Sequence, residues 1–256
     1  MGLMEGKRAL ITGIANERSL AYFIAQKLAS EGAQLALTYQ GEIVEARVRK
    51  LAETLQTDLL IECDVTQDRQ IDAMYDNVGD QMGGLDVLVH AIAYADKEAL
   101  SGRYCDVTRA AFLQAMEIGA FSFAAMAKGA APLMEDAGGS MLTLSYYGAE
   151  KVVPNYNIMG VTKAALEASV RYLANDLGPS GIRVNAISAG PVKTLSAKGV
   201  RDFNSILTRI SDKSPMRRNI SGTEVGDSAL FLLSDLSSGI TGEVMHVDAG
   251  YNTIGI

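Results

Sequence analysis

Short apolar runs alternate with amphipathic stretches along the whole chain. Arg8-Ala9-Leu10-Ile11-Thr12-Gly13 reads as a buried strand running into a glycine. Leu20, Ile24, Leu28 and Ala29 follow at helical spacing, and Gly32 stops that helix. Further strands are predicted at 34–39, 59–65, 85–93, 182–188 and 242–247, with another apolar run closing on Leu142-Thr143-Leu144. A helical pattern starts near Asn155 and stops at Leu177-Gly178-Pro179; Ser221-Gly222-Thr223-Glu224 fits a capping box opening a last helix through Phe231-Leu232-Leu233. Strands and helices in alternation predict an α/β fold: a single doubly wound Rossmann-type domain over 1–256, with a mostly parallel seven-stranded sheet and helices on both faces. Right-handed crossovers would bring the turn after Gly13 and the chain after Leu144 to one edge of that sheet.

Composition narrows the possibilities. A chain of 256 residues with 48% hydrophobic and 21% charged residues can bury a proper core. Its net charge of −7 argues against nucleic acid held by a basic field. Cys63 and Cys105 form neither a metal spacing nor a disulfide framework, which points to a reducing, cytoplasmic setting. The first strand begins by Arg8, leaving no room for a signal peptide, and Gly6 stands where a myristoylation site wants Ser or Thr. The segment 110–134 is rich in Ala, Phe and Met but carries Gln114, Glu117 and Lys128. It reads as a long helix buried in the protein or between subunits, not as a membrane span. His90 and His246 lie in apolar strands and read as hydrogen-bonded core residues; no metal site is expected.

Two stretches carry candidate chemistry. After Gly13 comes Ile14-Ala15-Asn16-Glu17-Arg18-Ser19 and then a helix, a strand–turn–helix unit in which a helix N-terminus can meet a pyrophosphate. The usual G-x-G-x-x-G is absent, so a plain connection with no ligand stays open as the lesser alternative. On the helix near Asn155, Tyr156 and Lys163 are seven residues apart, which returns to within about 20° of the starting direction. Both side chains would then share a face, with Met159 and Gly160 between them. A phenol there can donate a hydrogen bond to an oxygen gaining negative charge, and an ammonium can hold a sugar hydroxyl pair. Spacing alone also fits an ordinary amphipathic helix with a surface Lys and a core Tyr.

Tyr146, Tyr156 and Lys163 with this spacing resemble the enoyl-acyl carrier protein reductases, a divergent branch of the short-chain dehydrogenase/reductase family. Most of that family spaces its Tyr and Lys four positions apart, and this branch seven. Pro154-Asn155-Tyr156-Asn157-Ile158-Met159-Gly160, Asn185-Ala186-Ile187-Ser188-Ala189-Gly190-Pro191, and the stretch from Gly239 to Asp248 resemble the branch too, so the likeness covers essentially the whole chain. It implies reduction of the trans-2,3 double bond of an enoyl thioester in fatty-acid elongation. Tyr156 would stabilise the enolate, Lys163 would hold the nicotinamide ribose, and Tyr146 would line the acyl pocket. It further implies cofactor contacts at Gly13, Ile14, Ala15, Ser19, Leu20 and Gln40, with Asp64 and Val65 under the adenine. Ala91, Ile92 and Ala93 would flank the cofactor, and Val192 and Thr194 would clamp the carboxamide. Ala95 and Met159 would contact substrate. The partners implied are acyl carrier protein and three further copies in a homotetramer.

The second strand ends in neutral Gln40, and Glu42 and Glu45 precede the first base, Arg47. A 2′-phosphate would meet acids first, so NADH is expected over NADPH. From Leu195 to about Arg209 helical patterning predicts a lid, 193–209. Between Lys193 and Arg218 seven bases face only Asp202 and Asp212, a local excess of five positive charges (seven minus two). That is either a docking surface for an acidic carrier or a solvated face. Two other functions stay open: a carbonyl or ketoacyl reductase using Ser145 beside the Tyr, and a catalytically silent NAD-binding regulator.

Overall fold

The computed structural model describes residues 2–135, 137–194 and 201–255. Seven strands form one sheet: β1 Arg8–Ile11, β2 Gln34–Tyr39, β3 Leu60–Glu62, β4 Val87–His90, β5 Gly139–Ser145, β6 Ile182–Ala189 and β7 Val244–Val247. Their order is β3-β2-β1-β4-β5-β6-β7, and every pairing is parallel. The expected fold class holds, with "mostly parallel" sharpened to wholly parallel. The helices are α1 Leu20–Ser30, α2 Glu42–Leu55, α3 Asp68–Met82, α4 Arg109–Met116, α5 Ser122–Met134, α6 Asn157–Leu177, α7 Phe203–Lys213 and α8 Gly222–Leu233.

Strand alternation divides the core. Ala9 and Ile11 of β1, with Val87 and Val89 of β4, pack on one side with Ile24, Leu28, Val48 and Leu230. Leu10 and Leu88 point the other way, among Met74, Phe123, Met126 and Leu166. Each such fully buried aliphatic side chain contributes roughly 1.5–3 kcal/mol. With both faces covered, neither side of the central strands faces water, which is why β1 and β4 read as nearly continuous apolar runs.

Helix ends follow local chemistry. Gly32, at φ 95°, ends α1. Ser221 and Glu224 form the expected reciprocal capping box at α8. Thr66, which could be read as a helix cap, is not one: α3 starts after Gln67, and the Thr66 hydroxyl donates instead to Asp64 at 2.8 Å. The segment 110–134 is one helical run, with a π-helical turn at Glu117–Phe121 joining α4 to α5. Counted from Arg109 to Met134, 26 residues at mean hydropathy 1.4, it is long and apolar enough to cross a membrane by length and composition. Phe123, Met126, Ala127, Ala130 and Met134 pack into the core, whereas Leu113 (58%) and Phe121 (57%) are exposed. Burial of this helix within the chain is therefore one-sided.

Candidate active site

The strand order reverses between β1 and β4, and the cleft opens at the carboxyl ends of these strands. Gly13 makes the turn out of β1 at φ 85°, and a Cβ there would lie 2.0 Å from the Ala91 carbonyl oxygen. Only glycine lets the loop pass so close to the end of β4. Ser19 closes the loop, its hydroxyl accepting from the amides of Ala15 at 3.0 Å and Asn16 at 3.1 Å. That hydroxyl therefore does not cap α1, and no acidic residue stands in the helix's first turn. The positive end of α1 is left facing the cleft, a donor set suited to a pyrophosphate.

Three successive residues at the end of β5 are tied to α6. The Leu144 carbonyl accepts from Lys163 Nζ at 2.6 Å, the Ser145 hydroxyl donates to Glu167, and the Tyr146 ring meets the Tyr156 ring edge-on at 4.9 Å and 72°. Tyr156 is not within the helix, as the spacing had predicted, but is its N-cap at φ −113°. Asn155 and Asn157 on either side adopt positive φ, 61° and 30°, because the chain must turn sharply after Pro154 before α6 can begin. Tyr156 and Lys163 nonetheless reach the same cleft. Close approach of this turn needs Gly148 and Gly160: a Cβ at the former would lie 2.5 Å from Tyr156 Cδ1, at the latter 2.7 Å from the Gly148 carbonyl oxygen.

Burial sets the electrostatics. It pushes the Tyr156 phenol well above its ordinary 10, with smaller contributions from Tyr146 and Glu167. It pushes Tyr146 up to about 12, helped by Tyr251. Both phenols are neutral donors near pH 7. Burial lowers Lys163 to about 8, while Glu167 acts in the opposite direction. The ammonium thus keeps its proton at neutral pH by a narrow margin.

The cleft has a volume of about 1150 Å³. Every sequence-predicted site residue lines it: Gly13, Ile14, Ala15, Ser19 and Leu20 from the first turn, Gln40, Asp64 and Val65 from the next two strand ends, and Ala91, Ile92, Ala93 and Ala95 after β4. Tyr146, Tyr156, Met159 and Lys163 line the opposite wall, with Val192 and Thr194 beyond β6. The sequence reading missed Tyr94, Leu100, Gln114, Ile118, Phe203 and Ile206. Phe203 and Ile206 were legible as the apolar side of α7; Gln114 had been read only as an interruption of an apolar helix. At the far end, burial works to raise the Asp64 carboxyl, but hydrogen bonds from Thr66 and Gln40 hold it below its usual range. Arg49 on α2 is engaged by Glu45 at 2.5 Å.

Among the described residues the helix after β6 is α7, Phe203–Lys213, which runs past the predicted end near Arg209; residues 195–200 of the predicted lid, Lys198 among them, lie outside the described residues. Arg218 is paired with Glu224 at 2.7 Å, which removes it from the free positive charge. His90 is the expected core residue, bonded to Thr143 Oγ1 at 3.0 Å and Ser122 Oγ at 2.8 Å. His246 is not: its side chain is 23% exposed and pairs with Glu150 at 2.7 Å, because β7 is the edge strand. Among the described residues no group of three or more His, Cys, Asp or Glu could hold a metal ion.

A family model described as enoyl-(acyl carrier protein) reductase matches residues 13–252. The enoyl-[acyl-carrier-protein] reductase [NADH] 1 of Rhizobium meliloti is 56% identical over 255 residues, covering 100% of this chain and 93% of its own. The structure of an enoyl-(acyl-carrier-protein) reductase from Anaplasma phagocytophilum in complex with NAD superposes with TM-score 0.96 at 53% identity, covering 100% of this chain and 97% of its own. The Bacillus cereus enoyl-acyl carrier protein reductase, with NADP+ and an indole naphthyridinone, gives TM-score 0.97 at 51% identity, both chains covered in full.

Proposed function

The chain belongs to the enoyl-(acyl carrier protein) reductase family, and from that membership together with the Tyr156–Lys163 cleft we infer that it reduces the trans-2,3 double bond of enoyl-acyl carrier protein thioesters with NADH. The observation that carries this reading is the half-buried Tyr156 phenol in one cleft with Lys163 and the uncapped end of α1. NADH, when bound, supplies the hydride for the β-carbon of the substrate. The amides at the start of α1 hold its pyrophosphate, Gln40, Asp64 and Val65 its adenosine half, and Val192 and Thr194 its carboxamide. Lys163 holds the nicotinamide ribose.

Charge collects on the thioester oxygen, and Tyr156 donates its hydrogen bond there. A pre-placed donor in a site that excludes water strengthens as that charge develops. Tyr146, stacked edge-on against Tyr156, fixes its ring, and with Ala95 and Met159 shapes the acyl pocket. Thr194, Phe203 and Ile206 border the cleft on both sides of 195–200, which supports 193–209 as the cover of the acyl end within a single catalytic domain.

The carbonyl-reductase alternative needs a serine hydroxyl beside the Tyr, and the hydroxyl of Ser145 is committed to Glu167. The cofactor preference rests on Gln40, on Glu42 and Glu45, which precede Arg47, the first base of α2, and on the Glu45–Arg49 pair, so that a 2′-phosphate would meet carboxylates first. The Bacillus cereus complex with NADP+ makes direct comparison of NADH and NADPH affinities the proper check. A homotetramer is supported by exposed Leu113 and Phe121 on one helical run and Tyr172 on α6, a set of apolar groups that subunit contacts would cover. Two free thiols fit a cytoplasmic protein.

The reaction is tested by following NADH oxidation with a trans-2-enoyl thioester, beside a 3-ketoacyl thioester and Tyr156→Phe. Turnover of the enoyl substrate alone, lost in the variant, is expected. Turnover of the keto substrate alone would establish the carbonyl reductase, and cofactor binding without either turnover the silent regulator.

A further inference from the structure

Glu167 is a buried carboxylate with no part in the chemistry above. It is 8% exposed, one helical turn beyond Lys163 on α6, and bonded to the hydroxyl of Ser145, itself 5% exposed. Ser145 directly follows Leu144, whose carbonyl takes the Lys163 ammonium. Two adjacent residues of β5 are thus held by two residues one turn apart on α6. Around the carboxylate stand Ser145 from β5, Lys163 and Arg171 from α6, Glu150 from the turn after β5, and His246 from β7, with Tyr156 also within its field.

We propose that Glu167 is a positioning residue for the reductase site: it clamps the end of β5 through Ser145 and serves as the buried countercharge that keeps the Lys163 ammonium protonated against the Leu144 carbonyl. A buried ammonium loses its proton readily unless an opposite charge lies near. Carbonyl oxygens alone cannot supply that charge, and Glu167 is the one carboxylate of α6 within a turn of Lys163. Burial favours the neutral acid of Glu167, and the Ser145 hydroxyl opposes this by donating to the charged form. Ser145 therefore serves Lys163 at second hand. The role assigned to Lys163 rests on the function proposed above; the effect of Glu167 on its charge does not.

The test is a pH titration of the cofactor-free protein by NMR of 13Cε-labelled lysines, with Lys163 assigned through Lys163→Arg. In Glu167→Gln, which keeps the shape and a bonding partner for Ser145, Lys163 should titrate about one pH unit lower, making the ammonium fraction above its midpoint about tenfold smaller. The alkaline loss of NADH affinity should move by the same amount, and Glu167→Asp should restore both. Ser145→Ala, which retains the charge, should shift the titration less. Coincident titrations of Lys163 in wild type and Glu167→Gln would overturn the proposal, as would a Ser145→Ala shift as large as that of Glu167→Gln. Because the titration needs neither cofactor nor turnover, a failure of the wild type to reduce enoyl thioesters would refute the proposed reaction and leave this result standing.

Discussion

The ring of Tyr146 meets that of Tyr156 edge-on, with centroids 4.9 Å apart. Gly148 makes this contact possible, since a methyl there would lie 2.5 Å from Tyr156 and 3.3 Å from Tyr146. Gly148→Ala should therefore displace the catalytic phenol without touching the sheet. We expect kcat to fall by at least about tenfold, because small misplacements of a reacting group cost up to about a hundredfold. NADH affinity and the far-ultraviolet circular dichroism spectrum should stay close to wild type. Unchanged kcat would mean that the phenol's position does not limit the reaction.

Removing the phenol's hydroxyl is the more direct test. Tyr156→Phe keeps the ring against Tyr146 and deletes the donor to the thioester oxygen. Loss of one such donor typically lowers kcat by about 10²–10³-fold. Tyr146→Phe, which keeps the packing, should cost much less. Equal losses in the two variants would assign Tyr146 a share of the chemistry.

Much of this was legible because both faces of the sheet are covered. Apolar runs such as that at β4 could hardly be anything but buried strands, and Gly13 marked the one turn where the backbone must pass Ala91. The third strand was drawn too long, 59–65 against Leu60–Glu62, because Cys63 and Val65 prolong the apolar pattern past the strand where, with Asp64, they line the cleft. The start of α6 was misread for a similar reason. Nothing in helical periodicity signals that Asn155 and Asn157 take positive φ and make Tyr156 a cap. Pro154 was the available clue. Gln114 and the Ser145–Glu167 clamp depend on tertiary contact and leave no local pattern.

The alkaline side of the pH profile follows from Lys163. Burial brings it down to about 8, so the ammonium that holds the ribose begins to lose its proton near that pH, not near 10.5. NADH affinity should weaken as pH rises through about 8, and Lys163→Arg, which stays charged, should abolish that dependence while binding less well overall. An affinity constant to pH 10 would show that Lys163 does not hold the cofactor through its charge.

The positive stretch around α7 predicts how the carrier docks. Arg201, Arg209 and Lys213 are exposed, Arg201 lying 3.8 Å from Asp202, and Arg218 is paired with Glu224 at 2.7 Å. Arg201→Glu with Arg209→Glu should raise KM for an acyl carrier protein thioester severalfold, with an effect that shrinks as salt is added. KM for an uncharged N-acetylcysteamine thioester should not change. Equal changes for both substrates would place these charges outside the docking surface.

His90 links the core to acid stability. Burial first, and the Lys163 charge second, lower it from 6.5 to about 3, so the folded protein keeps it neutral where the unfolded chain would protonate it. Between those values the unfolded state binds the extra proton, and stability must fall as pH drops from about 6.5 towards 3. Replacing His90 with Gln removes this contribution but loses the ring's hydrogen bonds with the hydroxyls of Thr143 and Ser122, which keep only their backbone carbonyl acceptors, at a net cost of about 0.5–1.5 kcal/mol per bond. His90→Gln should therefore melt below the wild type at pH 7, and the gap should narrow as the pH is lowered to 4. A gap that widens in acid would mean that His90 is protonated in the folded protein.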